Sequence, residues 1–206
     1  MNAYYRPTRN EIVFPAGILQ PPFFEASADA AVNYGGIGAV IGHEITHGFD
    51  DEGSKYDAEG NLRSWWSPAV RKQFEARAQR LVEHFNGYVA IDTLHVNGKL
   101  TLGENIADLG GLCIAYDGLQ RALAGKPRPL IDGFTPEQRF FLNWAQVWRI
   151  NYRPESLRLQ VLTNVHAPGN FRVLGPLSNM PEFHAAFNVK PEQAMYLPAE
   201  KLARIW

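Results

Sequence analysis

Apolar positions fall at helical spacing over most of this chain, and at strand spacing only near its start. Residues 27–49 stay apolar through Val40 and Ile41, and Ser27 is placed to cap them, so they read as one long buried helix. Gly35, Gly36, Gly38 and Gly42 lower its intrinsic propensity, which predicts close packing against another backbone. Their spacing fits neither a dinucleotide loop nor a P-loop. Ser67 and Pro68 start a second helix, with Phe74, Leu81, Val82 and Phe85 as its apolar stripe and Arg71, Lys72, Arg77 and Arg80 on the other side. A third helix is expected over about 103–123. A fourth, opened by Thr135-Pro136-Glu137, covers 138–150 and is rich in Phe140, Phe141, Trp144 and Trp148. A shorter helix starts at Pro154, and a last one covers 180–187. Residues 50–61 and 163–175 read as loops. In the first 24 residues, 2–5 read as an edge strand and 12–14 as a short strand closed by Pro15-Ala16-Gly17. The expected class is mainly α with a small β element, α+β.

Composition narrows the function only by exclusion. The 206 residues suit one domain, are 46% hydrophobic, and are ample for a core. A net charge of -1 without a basic stripe gives no footprint for nucleic acid or an anionic membrane. No apolar run is long enough to span a bilayer, and the first residues lack the apolar region of a signal peptide. The single cysteine, Cys113, cannot form an internal disulfide; its apolar helical setting predicts an inert buried thiol.

The chemistry begins at His43-Glu44-Ile45-Thr46-His47. Residues four apart lie on one helix face, so His43 and His47 present two imidazoles to one point. Glu44 is turned about 100° from His43 and reaches beside that point. Two imidazoles on Zn²⁺ with a nearby carboxylate make a hydrolytic site, the metal acidifying water and the glutamate taking its proton. The alternative, three ionisable groups buried without a partner, costs several kcal/mol.

A catalytic zinc site needs a third protein ligand. In Gly103-Glu104-Asn105-Ile106-Ala107-Asp108, the two carboxylates are again four apart. They repel unless a cation sits nearby. Glu104 is the candidate ligand, and Asp108 the acceptor for the free N–H of a ligating histidine. The alternative is a solvated acidic face, against which the apolar, glycine-rich surroundings count. Asp50, Asp51 and Glu52 do not match an EF-hand, so a solvated loop is expected there. His84 reads as a surface or internally satisfied histidine. His166 and Arg172 lie in the expected loop and can offer donors to an oxyanion, although loop residues of these types are usually solvated.

Five motifs in this order and spacing resemble the neprilysin family of zinc metalloendopeptidases: Asn2-Ala3-Tyr4-Tyr5, the run over 12–24, His43 to Asp50, Gly103 to Asp108, and His166 to Arg172. The likeness extends from Asn2 to Trp206. It implies a thermolysin-like zincin catalytic domain, with one Zn²⁺ held by His43, His47 and Glu104. It also implies Glu44 as general base, Asp108 orienting a zinc-binding histidine, and His166 stabilising the oxyanion. Arg172 would bind a substrate carbonyl, and Asn2 and Ala3 would align the peptide as an added strand. Phe23, Val40, Val147 and Trp148 would line an apolar pocket that favours cleavage of short peptides before large hydrophobic residues; Ala39 stands where some relatives carry a bulkier Met. Family members are about three times longer, so residues 1–206 are expected to be the C-terminal catalytic portion without the N-terminal half. Relatives are commonly periplasmic, secreted or membrane-anchored. Animal members end in Cys-Arg-x-Trp with a disulfide; Ala203-Arg204-Ile205-Trp206 here implies a bacterial-type member.

Overall fold

The computed structural model describes residues 2–205, so the terminal Trp206 of the family comparison lies outside the described residues. Four short strands form two separate antiparallel hairpins, β1 (Tyr4–Arg6) with β2 (Glu11–Val13) and β3 (Val89–Ile91) with β4 (Leu94–His95). The main elements of the other described residues are α-helices joined by loops and by 3-10 and π-helical turns: α1 (Ala30–Asn33), α2 (Ala39–Thr46), α3 (Pro68–Asn86), α4 (Leu102–Ala122), α5 (Pro136–Val147), α6 (Pro154–Thr163), α7 (Gly169–Ser178) and α8 (Pro181–Phe187). This is the mainly α architecture with a small β element expected from the sequence. No helix among the described residues is long and apolar enough to cross a membrane.

The expected helix over 27–49 is present as a broken path. Its cap is Asp29, not Ser27: the Asp29 side chain accepts from the Ala31 N–H at 2.9 Å. Between α1 and α2 the path loosens into a π-helical turn (Tyr34–Gly38), where Gly35 and Gly36 let the Phe140 and Phe23 backbones close in. After α2 it tightens into a 3-10 turn (His47–Phe49). The tightest crossing is α2 on α4. A Cβ on Gly111 would lie 2.4 Å from His43 N, and one on Gly42 would lie 2.6 Å from Gly111 O. Only bare backbone allows this approach, and it brings His43 of α2 and His47 of the turn after it against the two carboxylates of α4.

The main core joins α3, α4, α5, α7 and α8 around Phe85, Ile106, Leu112, Phe140, Phe141 and Trp144. A smaller cluster of Ala3, Ile18, Ile37 and Val40 seats the first hairpin beside α2. Ser67 caps α3 and Thr135 with Gln138 forms a capping box on α5, as the sequence signals predict. Arg77 and Arg80 do not simply face water: they donate to the Ile205 and Leu202 carbonyls and hold the C-terminal segment. His84 is satisfied internally by Tyr88 and Asn179.

Two further sequence expectations about the helices fail. The segment 163–175 is not a loop throughout, because α7 starts at Gly169. Gly169, Gly175 and Pro176 depress its helix propensity, but buried Phe171, stacked 4.7 Å from Tyr88, and buried Arg172 fix it by tertiary packing. Cys113 is exposed, not buried; it lies on the outer face of α4 beside exposed Ile114.

Candidate active site

An open cleft of about 660 Å³ runs between the first hairpin, α2, α4 and the α7 region. Its walls carry Asn2, Ala3, Phe23, Val40, His43, Glu44, His47, Glu104, Trp148, His166 and Arg172, so residues from both ends of the sequence meet here. Of the residues proposed from sequence, Val147 is not on the cleft wall; it is half-buried against the main core. Asp108 lies behind the wall, 1% exposed.

The His43 and His47 imidazoles are each held from behind by a carboxylate. His43 Nδ1 donates to Asp108 Oδ1 at 2.8 Å, and His47 Nδ1 donates to Asp50 Oδ2 at 2.7 Å. With the proton assigned to each Nδ1, both Nε2 atoms carry lone pairs, and they face each other 3.0 Å apart. Glu104 Oε2 lies 3.3 Å from His43 Nε2 and 3.8 Å from His47 Nε2. That oxygen is buried and makes no hydrogen bond of good geometry. Two lone pairs and a carboxylate oxygen that lacks a hydrogen bond of good geometry, converging on one point, repel one another unless a proton or a metal cation sits among them. Two imidazoles and a carboxylate, with oriented Nδ1 groups, match the donor preferences of zinc. Glu44 also reaches this point, its carboxylate lying with the His43 and His47 nitrogens inside 4.8 Å.

Electrostatics follows from this crowding. Burial pulls the His43 imidazole down, but the Asp108 and Glu104 carboxylates outweigh it and raise His43 from 6.5 to about 9. Burial would raise Glu104, yet His166 and His43 hold it far below the usual carboxylate range. Burial would likewise raise Asp108, and the adjoining Arg172 guanidinium keeps it low instead. Glu44 is the exception: burial raises it despite the neighbouring imidazoles. A carboxylate lifted this way is a stronger base than an ordinary one.

His166 lies 3.1 Å from Glu104 Oε2 through Nε2 and is a third exposed on its side chain. Its other nitrogen meets Asn164 Oδ1 at 3.0 Å, and the same oxygen takes the His166 N–H at 2.8 Å. Arg172 is buried on α7 and grips Asp108 through two hydrogen bonds of 2.8 and 2.7 Å. The strand expected over 2–5 begins only at Tyr4. Asn2 and Ala3 lie ahead of it on the cleft wall, and β1 pairs on one side only among the described residues.

Sequence reasoning missed two supporting residues and one contact. Asp50 belongs to no solvated loop; it is 4% exposed, orients His47, and accepts the Glu52 and Gly53 N–H groups. Its position three residues after His47 was the available signal. Asn164 sits two residues before His166, a spacing typical of Asx turns. The stacking of Trp148 on Arg172, 3.7 Å from ring centroid to Cζ, had no sequence signal.

Residues 2–202 match the model for Peptidase family M13. Human neprilysin is 46% identical over 211 residues, covering 100% of this chain and 28% of its own length. Human endothelin-converting enzyme 1 is 48% identical, covering 96% of this chain and 26% of its own length. Among solved structures, zinc metalloprotease ZMP1 of Mycobacterium tuberculosis, in complex with inhibitor, superposes with a TM-score of 0.97 at 50% identity. It covers 100% of this chain, which spans 32% of that one. PepO from Lactobacillus rhamnosis gives a TM-score of 0.86 at 39% identity, covering 98% of this chain and 30% of its own. The chain thus spans 26–28% of these curated relatives.

Proposed function

This chain belongs to peptidase family M13, and from that premise we propose that it is a zinc-dependent endopeptidase unit cutting short peptides before large hydrophobic residues. The observation that carries the reading is the convergence of His43 Nε2, His47 Nε2 and Glu104 Oε2, a buried oxygen without a hydrogen bond of good geometry, beside Glu44. His43, His47 and Glu104 would hold one zinc ion. The chemistry supplied by zinc there is Lewis acidity, which acidifies water and polarises a carbonyl.

The rest of the work falls to the chain. Glu44, its affinity for protons raised by burial, takes the proton of the attacking water and delivers it to the leaving amine. Asp108 and Asp50 hold His43 and His47 with Nε2 free. His166, as an imidazolium whose Nδ1 donates to Asn164 Oδ1, donates through Nε2 to the developing oxyanion. Arg172 offers N–H groups left over from Asp108 to a substrate carbonyl. Asn2 and Ala3, on the cleft wall ahead of β1, align the peptide as an added strand. Phe23, Val40 and Trp148 give the apolar wall that sets the side-chain preference.

The test is hydrolysis of short fluorogenic peptides by the zinc-loaded chain, with leucine or alanine after the scissile bond. Faster cleavage of the leucine peptide, abolished in Glu44→Gln, supports the reading; cleavage that survives Glu44→Gln overturns it. A second reading is a folded zinc-binding unit that does not turn over by itself. It is favoured by a row of exposed apolar residues on α2 and the turn after it, Ile41, Ile45 and Phe49. Ile45 and Phe49 border a groove of about 540 Å³ behind the site. Under that reading the chain binds zinc and peptide but cuts neither substrate.

A further inference from the structure

Trp148 touches the cleft on one side and Arg172 on the other. Arg172 has five N–H donors on a planar fork. Nε and one Nη2 hydrogen go to Asp108, which fixes one edge of the fork but not its tilt. The main chain is tied separately, Trp144 Nε1 donating to the Arg172 carbonyl at 3.0 Å. The face of the guanidinium rests on the Trp148 ring, 3.7 Å from the centroid. Nη1 has no hydrogen-bond partner among the described residues. Trp148 Nε1 is also buried without one. Phenylalanine would not carry that orphan donor, so the indole serves this position through its broad face and not through its N–H.

We infer that Trp148 is a positioning residue for Arg172: its ring fixes the tilt of the guanidinium, so that the N–H groups not bound to Asp108 are held ready for a peptide carbonyl in the cleft. The inference rests on the peptidase reading and deepens it. A plain pocket wall affects only substrates whose side chain leans on it. A platform under Arg172 affects every peptide, because every peptide presents the same carbonyl.

The experiment compares Trp148→Leu and Trp148→Phe with the parent chain, all zinc-loaded and checked for folding by thermal unfolding. Two peptides differing only in leucine or alanine after the scissile bond are used. kcat and KM are measured directly, and affinity is measured by calorimetry in a Glu44→Gln background. Trp148→Leu is expected to weaken both peptides by a similar factor, roughly tenfold for a desolvated cation–π contact. Trp148→Phe is expected to restore most of it. Hydrogen-exchange protection of the Arg172 Nε–H, read by NMR, should fall in Trp148→Leu and return in Trp148→Phe. A loss confined to the leucine peptide, or unchanged Arg172 protection in Trp148→Leu, overturns the inference. If the parent chain neither binds nor cuts either peptide, the peptidase reading fails, and the Arg172 protection still decides the role of Trp148.

Discussion

Replacing Asp108 by asparagine keeps the shape of the side chain and removes its charge. The carboxylate it removes is 1% exposed and shared by three contacts: Arg172 Nε at 2.8 Å, Arg172 Nη2 at 2.7 Å and His43 Nδ1 at 2.8 Å. The next carboxylate near Arg172, Glu104, lies 3.9 Å from Nη2. Asp108→Asn therefore leaves a buried guanidinium without a partner at contact distance. Removing one member of a buried pair costs about 3–5 kcal/mol. The amide oxygen still accepts one hydrogen bond, which places the expected loss near the lower end, about 3 kcal/mol. For a domain of ~5–15 kcal/mol total stability this is a large fraction. In urea, with a slope of ~1–3 kcal/mol/M, it lowers the unfolding midpoint by roughly 1–3 M in chelator. Zinc affinity should fall by about 10–100-fold, because the amide no longer secures His43 as an Nδ1–H tautomer. Adding Arg172→Met removes the stranded charge and should recover part of the stability. A midpoint shift worth less than about 1 kcal/mol, with unchanged zinc affinity, refutes the reasoning. So does a double variant as unstable as the sum of its parts.

Three further outcomes follow from the same geometry. His166→Ala should keep its zinc while kcat falls about 10²–10³-fold, the usual loss for one oxyanion donor; metal analysis beside peptide kinetics checks both. Gly111→Ala pushes a methyl into the His43 backbone, so thermal unfolding should show a loss of about 1–3 kcal/mol or more, with weaker zinc binding as α2 and α4 part. In metal-free protein the raised His43 value makes protonation favour the fold. That stabilisation is complete below 6.5 and is lost as pH rises through about 9. Zinc needs the unprotonated imidazole, so the zinc-loaded protein should gain stability over the same rise. Melting curves from pH 6 to 9.5, with chelator and with zinc, should slope in opposite directions; parallel slopes contradict the assignment.

The site was legible in the sequence where its chemistry repeats at helical spacing. His43 with His47, and Glu104 with Asp108, are i, i+4 pairs whose meaning survives without any tertiary knowledge. The crowded glycines of the first long helix likewise announced a close crossing, found where Gly42 meets Gly111. What failed depended on partners far away in the chain. Helix α7 has little propensity of its own and exists because Phe171 and Arg172 bury against Tyr88 and Asp108. Asp50 looks like loop solvation until the 3-10 turn folds it back on His47. Cys113 sits in an apolar run, but it is exposed on α4, where it lines the groove behind the site.

The central claim divides the two glutamates: Glu104 binds the metal, and Glu44 is kept for the proton. Zinc titration of metal-free protein against a competing chelator tests it most directly, using the parent chain, Glu104→Gln and Glu44→Gln. The account predicts one zinc per chain for the parent and for Glu44→Gln. For Glu104→Gln it predicts a loss of affinity greater than the ~10–100-fold typical of a supporting residue. Glu44→Gln shedding the metal while Glu104→Gln retains it would contradict the account.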